Sequence, residues 1–326
     1  MSLNETVASQ TLSGPASAAQ LQERFPDFYI IGAPKCGTTS VTQFLASSDE
    51  VFIPSPSEAA LHSTDLTYPQ AERRSAAFDR HAYFERFSAA QPNQIVGTKP
   101  VPYYFSKVAA EQLYISRPDA KIILCVREPA SFIVSHHAQL LYNINEDTPD
   151  LWKALAKEEA RKRGQMVPTT TRIVEALFYR EAALFSERIK TFRDQFGADQ
   201  VFVMVLDDIK SDPRESERRL ANFLGLKDFP VGKIDHANPR KTARYWRLKK
   251  FTRNPPPAVV SLARRIPNTA ALVKRTLGRF NEKTGIYKKP GKEHTEMIRA
   301  LNREFWGEID LLSEMLGRDL SHWKML

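Results

Sequence analysis

An α/β fold, with a mostly parallel central sheet flanked by helices, is what this sequence predicts, and three observations carry it. The runs Phe28-Tyr29-Ile30-Ile31, Lys121-Ile122-Ile123-Leu124-Cys125-Val126 and Val201-Phe202-Val203-Met204-Val205-Leu206 are short and rich in β-branched and aromatic residues, as strands buried on both faces are. Segments with apolar residues at helical spacing follow them. Strand therefore alternates with helix at least three times, and a parallel sheet covered by helices is the natural solution. Ligands of such sheets bind beyond the carboxyl ends of the strands, so the loops at 32–39, 97–100 and 127–135 are expected on one rim.

Residues 1–20 are rich in Ser, Ala, Thr and Gln without periodicity and read as a mobile leader. The first strand then runs into Ile31-Gly32-Ala33-Pro34-Lys35-Cys36-Gly37-Thr38-Thr39-Ser40, and Val41, Phe44 and Leu45 begin a helix. A loop between a strand end and a helix start holds backbone N–H groups with no intrahelical partner, ready to receive an anion. Gly32 and Gly37 permit a tight turn, Lys35 supplies positive charge, and Thr38 and Thr39 add hydroxyl donors. The loop reads as a phosphate cradle. It is not the ordinary nucleotide-triphosphatase loop, because Lys35 precedes Gly37 instead of following it, and the metal-holding part of that pattern is absent.

Val51-Phe52-Ile53 is a short strand candidate ended by Pro54 and Pro56, so the chain leaves the sheet near its edge there. Glu58 and His62 follow on a segment able to reach over the cradle. His81 to Phe87 has a helical pattern, Ile95 to Pro100 reads as a strand ending in a polar loop, and Tyr103 and Tyr104 either line a cleft or pack. A helix from Ser106 to Ile115 leads to the strand at 121–126. That strand empties into Arg127-Glu128-Pro129, and Ser131 to Leu141 is helical. Arg127 and Ser135 can meet one phosphate from two sides, the arginine with a fork matched to its oxygens. His136 and His137, being adjacent, point different ways.

Residues 143–168 carry many charges and read as an insertion or lid. One helix is expected from Ile173 to Phe196, stopped by Gly197, and another from Ser216 to Leu224, stopped by Gly225. Past residue 230 the periodicity weakens through His236 to Lys241 and the bend at Asn254-Pro255-Pro256-Pro257. Glu293 to Leu316 then places Ile298, Leu301, Phe305, Ile309, Leu312 and Leu316 on one apolar helical face, expected to pack on the core.

At 326 residues the chain could hold one large or two ordinary domains; with no internal repeat or separate unit visible, a single domain over residues 21–326 is expected. The net charge of +9 suggests anionic ligands, while Arg161-Lys162-Arg163, Arg247 to Lys250 and Arg264-Arg265 each read as a solvated face. No zinc pattern or RNA-binding aromatic signature speaks for nucleic acid. No run of eighteen apolar residues speaks for an integral membrane segment, and the start lacks the pattern of a signal peptide, so a cytoplasmic location is expected. Two cysteines, Cys36 and Cys125, are too few for a disulfide scaffold.

Taken as a set, Gly32-Ala33-Pro34-Lys35-Cys36-Gly37-Thr38-Thr39 resembles the 5′-phosphosulfate loop of sulfotransferases that use 3′-phosphoadenosine-5′-phosphosulfate (PAPS). Arg127-Glu128-Pro129 with Ser135 resembles their 3′-phosphate site. The similarity extends to Gly97-Thr98-Lys99-Pro100, to Leu206-Asp207-Asp208, and to the terminal Leu316 to Trp323, closer to the carbohydrate-modifying and bacterial branch than to the cytosolic small-molecule branch. The resemblance implies a three-layer fold like that of P-loop kinases and metal-independent, in-line sulfuryl transfer to a hydroxyl or amine, leaving 3′-phosphoadenosine-5′-phosphate (PAP).

On this resemblance Lys35, Cys36, Gly37, Thr38, Thr39 and Ser40 form the cofactor loop, Arg127 and Ser135 hold the 3′-phosphate, and Arg240 and Lys241 stand where a late basic loop returns to it. Lys35, Glu58 and Lys99 would be catalytic: Lys35 near the bridging oxygen, Glu58 as base ahead of His62 and His236, Lys99 as a second electrostatic group. Ser57 stands where a lysine is common, and the loop at 98–100 lacks the histidine of the small-molecule members. Two other readings stay open, an ATP- and magnesium-dependent P-loop kinase and a non-catalytic nucleotide-binding protein. The acceptor stays open among a small molecule, a carbohydrate, a lipid-linked sugar and a natural-product hydroxyl. So does the choice between a homodimer and a monomer.

Overall fold

The computed structural model describes residues 23–55, 61–227 and 292–325. The leader, Glu58, His236, Arg240 and Lys241 lie outside the described residues. Five strands make one wholly parallel sheet, β1 (Phe28–Gly32), β2 (Val51–Phe52), β3 (Ile95–Thr98), β4 (Lys121–Val126) and β5 (Val201–Val205), in the order β2-β3-β1-β4-β5. β1 is central: Phe28 and Tyr29 stand opposite Gly97 and Thr98 of β3 on one side and Lys121 and Ile122 of β4 on the other. All five of its residues are buried, in keeping with a run whose one polar side-chain atom is the Tyr29 hydroxyl. β2, two residues long before Pro54, sits at the edge as the prolines require.

Helices flank the sheet, giving the three-layer α/β architecture that the alternation of strand and helix predicts. α1 (Thr38–Leu45) follows β1; α2 (Ala71–Ala77) and α3 (Arg80–Glu85) lie between β2 and β3; α4 (Ala109–Ser116) joins β3 to β4. α5 (Pro129–Tyr142) follows β4 and starts firmly, with Pro129 in its first turn and the Glu128 carboxylate accepting from Ala130 N at 2.7 Å and Ser131 N at 2.6 Å. Glu128 therefore caps a helix and is not spent on its neighbour Arg127.

Three elements differ from expectation, each for a physical reason. The single helix over 173–196 is broken into a turn at Glu175–Leu177, α8 (Tyr179–Ala182) and α9 (Phe185–Phe196). The carbonyls of Ala176 and Ala182, at the breaks, accept instead from His136 Nε2 at 2.8 Å and Tyr104 Oη at 2.6 Å. The charged stretch at 143–168 contains α6 (Leu151–Ala156) and α7 (Glu158–Lys162), and Arg161 within it is no solvated residue but is fully buried against Glu146. After α10 (Leu206–Ser211) and α11 (Pro213–Leu224), the C-terminal helix is two, α12 (Lys292–Glu304) and α13 (Trp306–Leu316), parted at the buried Phe305. The break lets α12 pack on α5 and α13 on α9. Asn302 of α12 donates to Glu128 Oε1 at 2.8 Å and to the Trp323 carbonyl at 2.9 Å, fastening the C-terminal region to the cap of α5.

Tyr103 and Tyr104 pack; both are fully buried. His62 is buried beside Tyr103, with Nδ1 2.8 Å from its hydroxyl and Nε2 2.9 Å from Ser116 Oγ. Burial holds His62 and His136 down at about 4, and burial lowers His137 as well, against the opposing pull of its Nε2 donating to Thr148 O. A histidine held below its ordinary value of 6.5 binds its proton more readily in the unfolded chain, so stability falls as pH drops from about 6.5 toward 4. Glu158 and Glu308, raised by burial, act in the opposite sense. The larger histidine shifts set the sign: the thermal midpoint is expected to fall steadily between pH 7 and pH 5, and a midpoint flat over that range would show that these histidines take up their protons as readily in the folded protein as in the unfolded chain.

Candidate active site

A cavity of about 820 Å³ opens at the carboxyl ends of β1, β3, β4 and β5. Its phosphate-like corner is the loop from Pro34 to Ser40. Gly37, at φ 94°, is the N-cap of α1, a conformation that favours glycine, and a Cβ there would stand 3.0 Å from Leu206 Cδ1, a tight contact that the leucine would have to yield to. No side chain caps α1 and no acidic residue occupies its first turn, which leaves the helix start suited to an anion. Lys35 itself takes a left-handed conformation at φ 64°, held by Arg127 Nη1 donating to its carbonyl at 3.2 Å. Its Nζ donates to Gln139 Oε1 at 3.1 Å across the cavity wall.

The structure brings Lys35, Gly37, Thr38, Thr39, Ser40, Lys99, Arg127 and Ser135 into one wall. These groups come from three strand ends and α5, as the parallel-sheet rule requires. Lys35, Lys99, Arg127, Arg172 and Lys210 line it, and among the described residues no aspartate or glutamate does. A cleft of one sign focuses the field onto an anion. Cys36 is the exception within the loop: it is fully buried, outside the cavity wall, and burial pushes its thiol up to about 12 although Arg127 and Lys35 pull the other way. It packs under the loop. His62 is likewise away from the wall, and Asp207 is engaged with Trp323 Nε1 at 2.7 Å.

Gln139, Lys210, Arg172 and His136 are among the lining residues that escaped the sequence reading. Gln139 was within reach of it, since it lies four residues beyond Ser135 and hence on the same face of α5. Lys210 sits on α10, whose helical start immediately after β5 has no turn signal. Arg172 enters through the tertiary path of the 143–172 segment, which carries no local code. His136 is 3% exposed, with its ring 9° from that of Phe132 at 5.3 Å and 27° from that of Phe105 at 5.8 Å. Because Nε2 donates to a carbonyl, Nδ1 carries the lone pair, and Nδ1 is buried with no hydrogen-bond partner among the described residues.

The sulfotransferase domain family matches residues 25–283, which take in the cradle and the Arg127-Ser135 element. The chain belongs to that family. Among curated relatives it is 24% identical over 229 residues to human heparan sulfate glucosamine 3-O-sulfotransferase 6, a match covering 70% of this chain and 60% of that protein. It is 22% identical over 237 residues to the bifunctional heparan sulfate N-deacetylase/N-sulfotransferase 1 of Caenorhabditis briggsae, covering 70% of this chain and 26% of that one. The chain thus spans about 60% or less of the length of these two relatives. A sulfotransferase from Alicyclobacillus acidocaldarius shares the fold, with a TM-score of 0.65 at 24% identity over 92% of this chain and 99% of that one. No helix among the described residues is long and apolar enough to cross a membrane.

Proposed function

We propose that the chain is an enzyme transferring a sulfuryl group from PAPS to a hydroxyl or amine acceptor and releasing PAP. The observation that carries this reading is the uncapped start of α1, under the Lys35 loop, sharing with Arg127 and Ser135 one cavity that no aspartate or glutamate lines among the described residues. The wall fits the cofactor's charge distribution: the helix start with Thr38, Thr39 and Lys35 suits one phosphate, and Arg127 with Ser135 suits a second, separate one. When bound, PAPS supplies the sulfuryl group and a phosphate leaving group. The protein contributes a positive, preorganised environment: Lys35 and the loop N–H groups stand where negative charge grows, and Lys99 adds a second cation beside them. Glu58 is proposed to take the acceptor's proton, Arg240 and Lys241 to reach the 3′-phosphate, and residues 21–326 to make one such domain. The acceptor is a small molecule or a carbohydrate, the latter class being the one named for the relatives.

The test is calorimetric titration of the purified chain with PAP, adenosine 5′-phosphate and ATP–magnesium. Preference for PAP is expected, and Arg127→Ala should weaken PAP by roughly 10–100-fold, the worth of a charge-assisted hydrogen-bonding group, while leaving adenosine 5′-phosphate nearly unchanged. A preference for ATP–magnesium would turn the reading toward a kinase. Tight PAP binding without transfer to any acceptor would turn it toward a non-catalytic binder.

A further inference from the structure

We infer that the C-terminal turn at Ser321–Met325 is a clamp that holds the two phosphate-binding sides of the cavity at one spacing, with Trp323 as its positioning residue; this rests on the sulfuryl-transfer reading. Trp323 is buried and lies outside the cavity wall, so it acts through other groups. Its indole Nε1 donates to Asp207 Oδ2 at 2.7 Å, and its carbonyl accepts from Asn302 Nδ2 at 2.9 Å. Asn302, also buried, donates from the same nitrogen to Glu128 Oε1 at 2.8 Å, and its Oδ1 accepts from Trp306 Nε1 at 3.1 Å. A flipped amide would lose all three bonds, so the node has one orientation.

Each end of this chain of bonds reaches one phosphate side. Glu128 caps α5 and adjoins Arg127, the fork assigned to one phosphate. Asp207 stands in the first turn of α10, which carries Leu206, Ile209 and Lys210 into the cavity wall. A Cβ on Gly37 would stand 3.0 Å from Leu206 Cδ1 and 3.3 Å from Ile209 Cδ1, so α10 lies directly on the N-cap of α1, where the other phosphate is assigned. With six residues and no side-chain cap, α10 is too short to keep its place by helical bonds alone. Its first turn is tied from the C-terminal region instead, Asp207 by Trp323 with His322 Nε2 at 3.8 Å, and Asp208 by the fork of Arg318. Asp207 Oδ1 also stands 3.5 Å from Lys210 Nζ, so the tie at Trp323 fixes the partner of a wall cation. A ligand with two phosphates on one frame gains from its second contact only when both sides stand at its own spacing, whereas a ligand with one phosphate is indifferent to that spacing.

The test is titration of the full chain, as wild type, Trp323→Phe and Arg318→Gln, with PAP, adenosine 5′-phosphate and adenosine 3′-phosphate. Trp323→Phe keeps an aromatic ring in the core and removes the N–H, while the Arg318 side chain is 36% exposed, so Arg318→Gln cuts the second tie without opening the core. PAP affinity is expected to fall roughly tenfold in Trp323→Phe and about threefold in Arg318→Gln, on the scale of a charge-assisted hydrogen bond, with both monophosphates shifting less than about twofold. The ratio decides, because a tryptophan that only supports the fold would leave all three ligands unchanged or weaken them alike. The inference is overturned if PAP binds either folded variant as tightly as wild type, or if the three ligands weaken by the same factor. Should Trp323→Phe fail to fold, Arg318→Gln decides by the same ratio. Wild-type protein that binds PAP no tighter than the monophosphates would instead overturn the two-phosphate reading itself, and the clamp with it.

Discussion

Lys35→Ala is expected to lower turnover more than a hundredfold while the protein stays folded. Nζ of Lys35 stands in the cavity wall, hydrogen-bonded to Gln139, beside an uncapped helix start with no acidic residue in its first turn. A charge pair near 4 Å in an effective dielectric of about 20 interacts by about 4 kcal/mol. Each ~1.4 kcal/mol is a factor of ten in rate, so realising even part of that interaction only as charge develops exceeds a hundredfold. The lysine is half-buried and carries no core packing, so the thermal midpoint should move by no more than about 2 °C. The measurement is PAP released from PAPS with the best acceptor of a panel of naphthol, aliphatic alcohols and glucosamine oligosaccharides. Near-normal turnover would remove Lys35 from the chemistry, and a collapsed midpoint would mean that the loop needs it to fold.

The second large effect concerns stability, at Arg161. Its guanidinium forks onto the Glu146 carboxylate with two 2.8 Å bonds, both residues are fully buried, and Glu146 also receives Tyr179 Oη at 2.6 Å and the backbone N–H groups of Asp147 and Thr148. Burial pushes the Glu146 carboxyl up, but Arg161 and Tyr179 more than reverse this and hold it below the usual range. Removing one partner strands a buried charge, which costs about 3–5 kcal/mol. Arg161→Ala should therefore lower the thermal midpoint by roughly 10 °C. The double variant Glu146→Gln/Arg161→Met should recover much of that loss. Additive effects in a double-mutant cycle would show that the pair is not coupled. Because Asn143 and Asn145 in the cavity wall immediately precede Glu146, the single variant should also loosen ligand binding.

The parts of the fold legible in the sequence are those dictated by local chemistry. β4 falls on Lys121–Val126 as its unbroken apolar run demands, and the cradle sits between β1 and α1 because a glycine-rich stretch after a buried strand can do little else. Arg127 and Ser135 meet the same cavity as Lys35 because parallel strands place all their carboxyl ends on one rim. The breaks at residues 178 and 305 were invisible, since helical periodicity registers the buried face and not the competitors for its carbonyls. Arg161 misled for a related reason. In Arg161-Lys162-Arg163 the three charges look alike, and only the distant Glu146 and Tyr179 single one out for burial.

Composition, periodicity and the two phosphate-binding motifs by themselves determined the α/β class, the strand order's common rim and the anionic character of the ligand, because each depends on residues within a few positions of one another. Tertiary structure alone decided that Cys36 faces the core and that Gln139, His136, Arg172 and Lys210 join the wall. Those placements depend on segments far apart in the chain converging in space, such as His136 on Ala176 and Asn302 on Glu128, and a contact of that kind leaves no mark in the spacing of either partner.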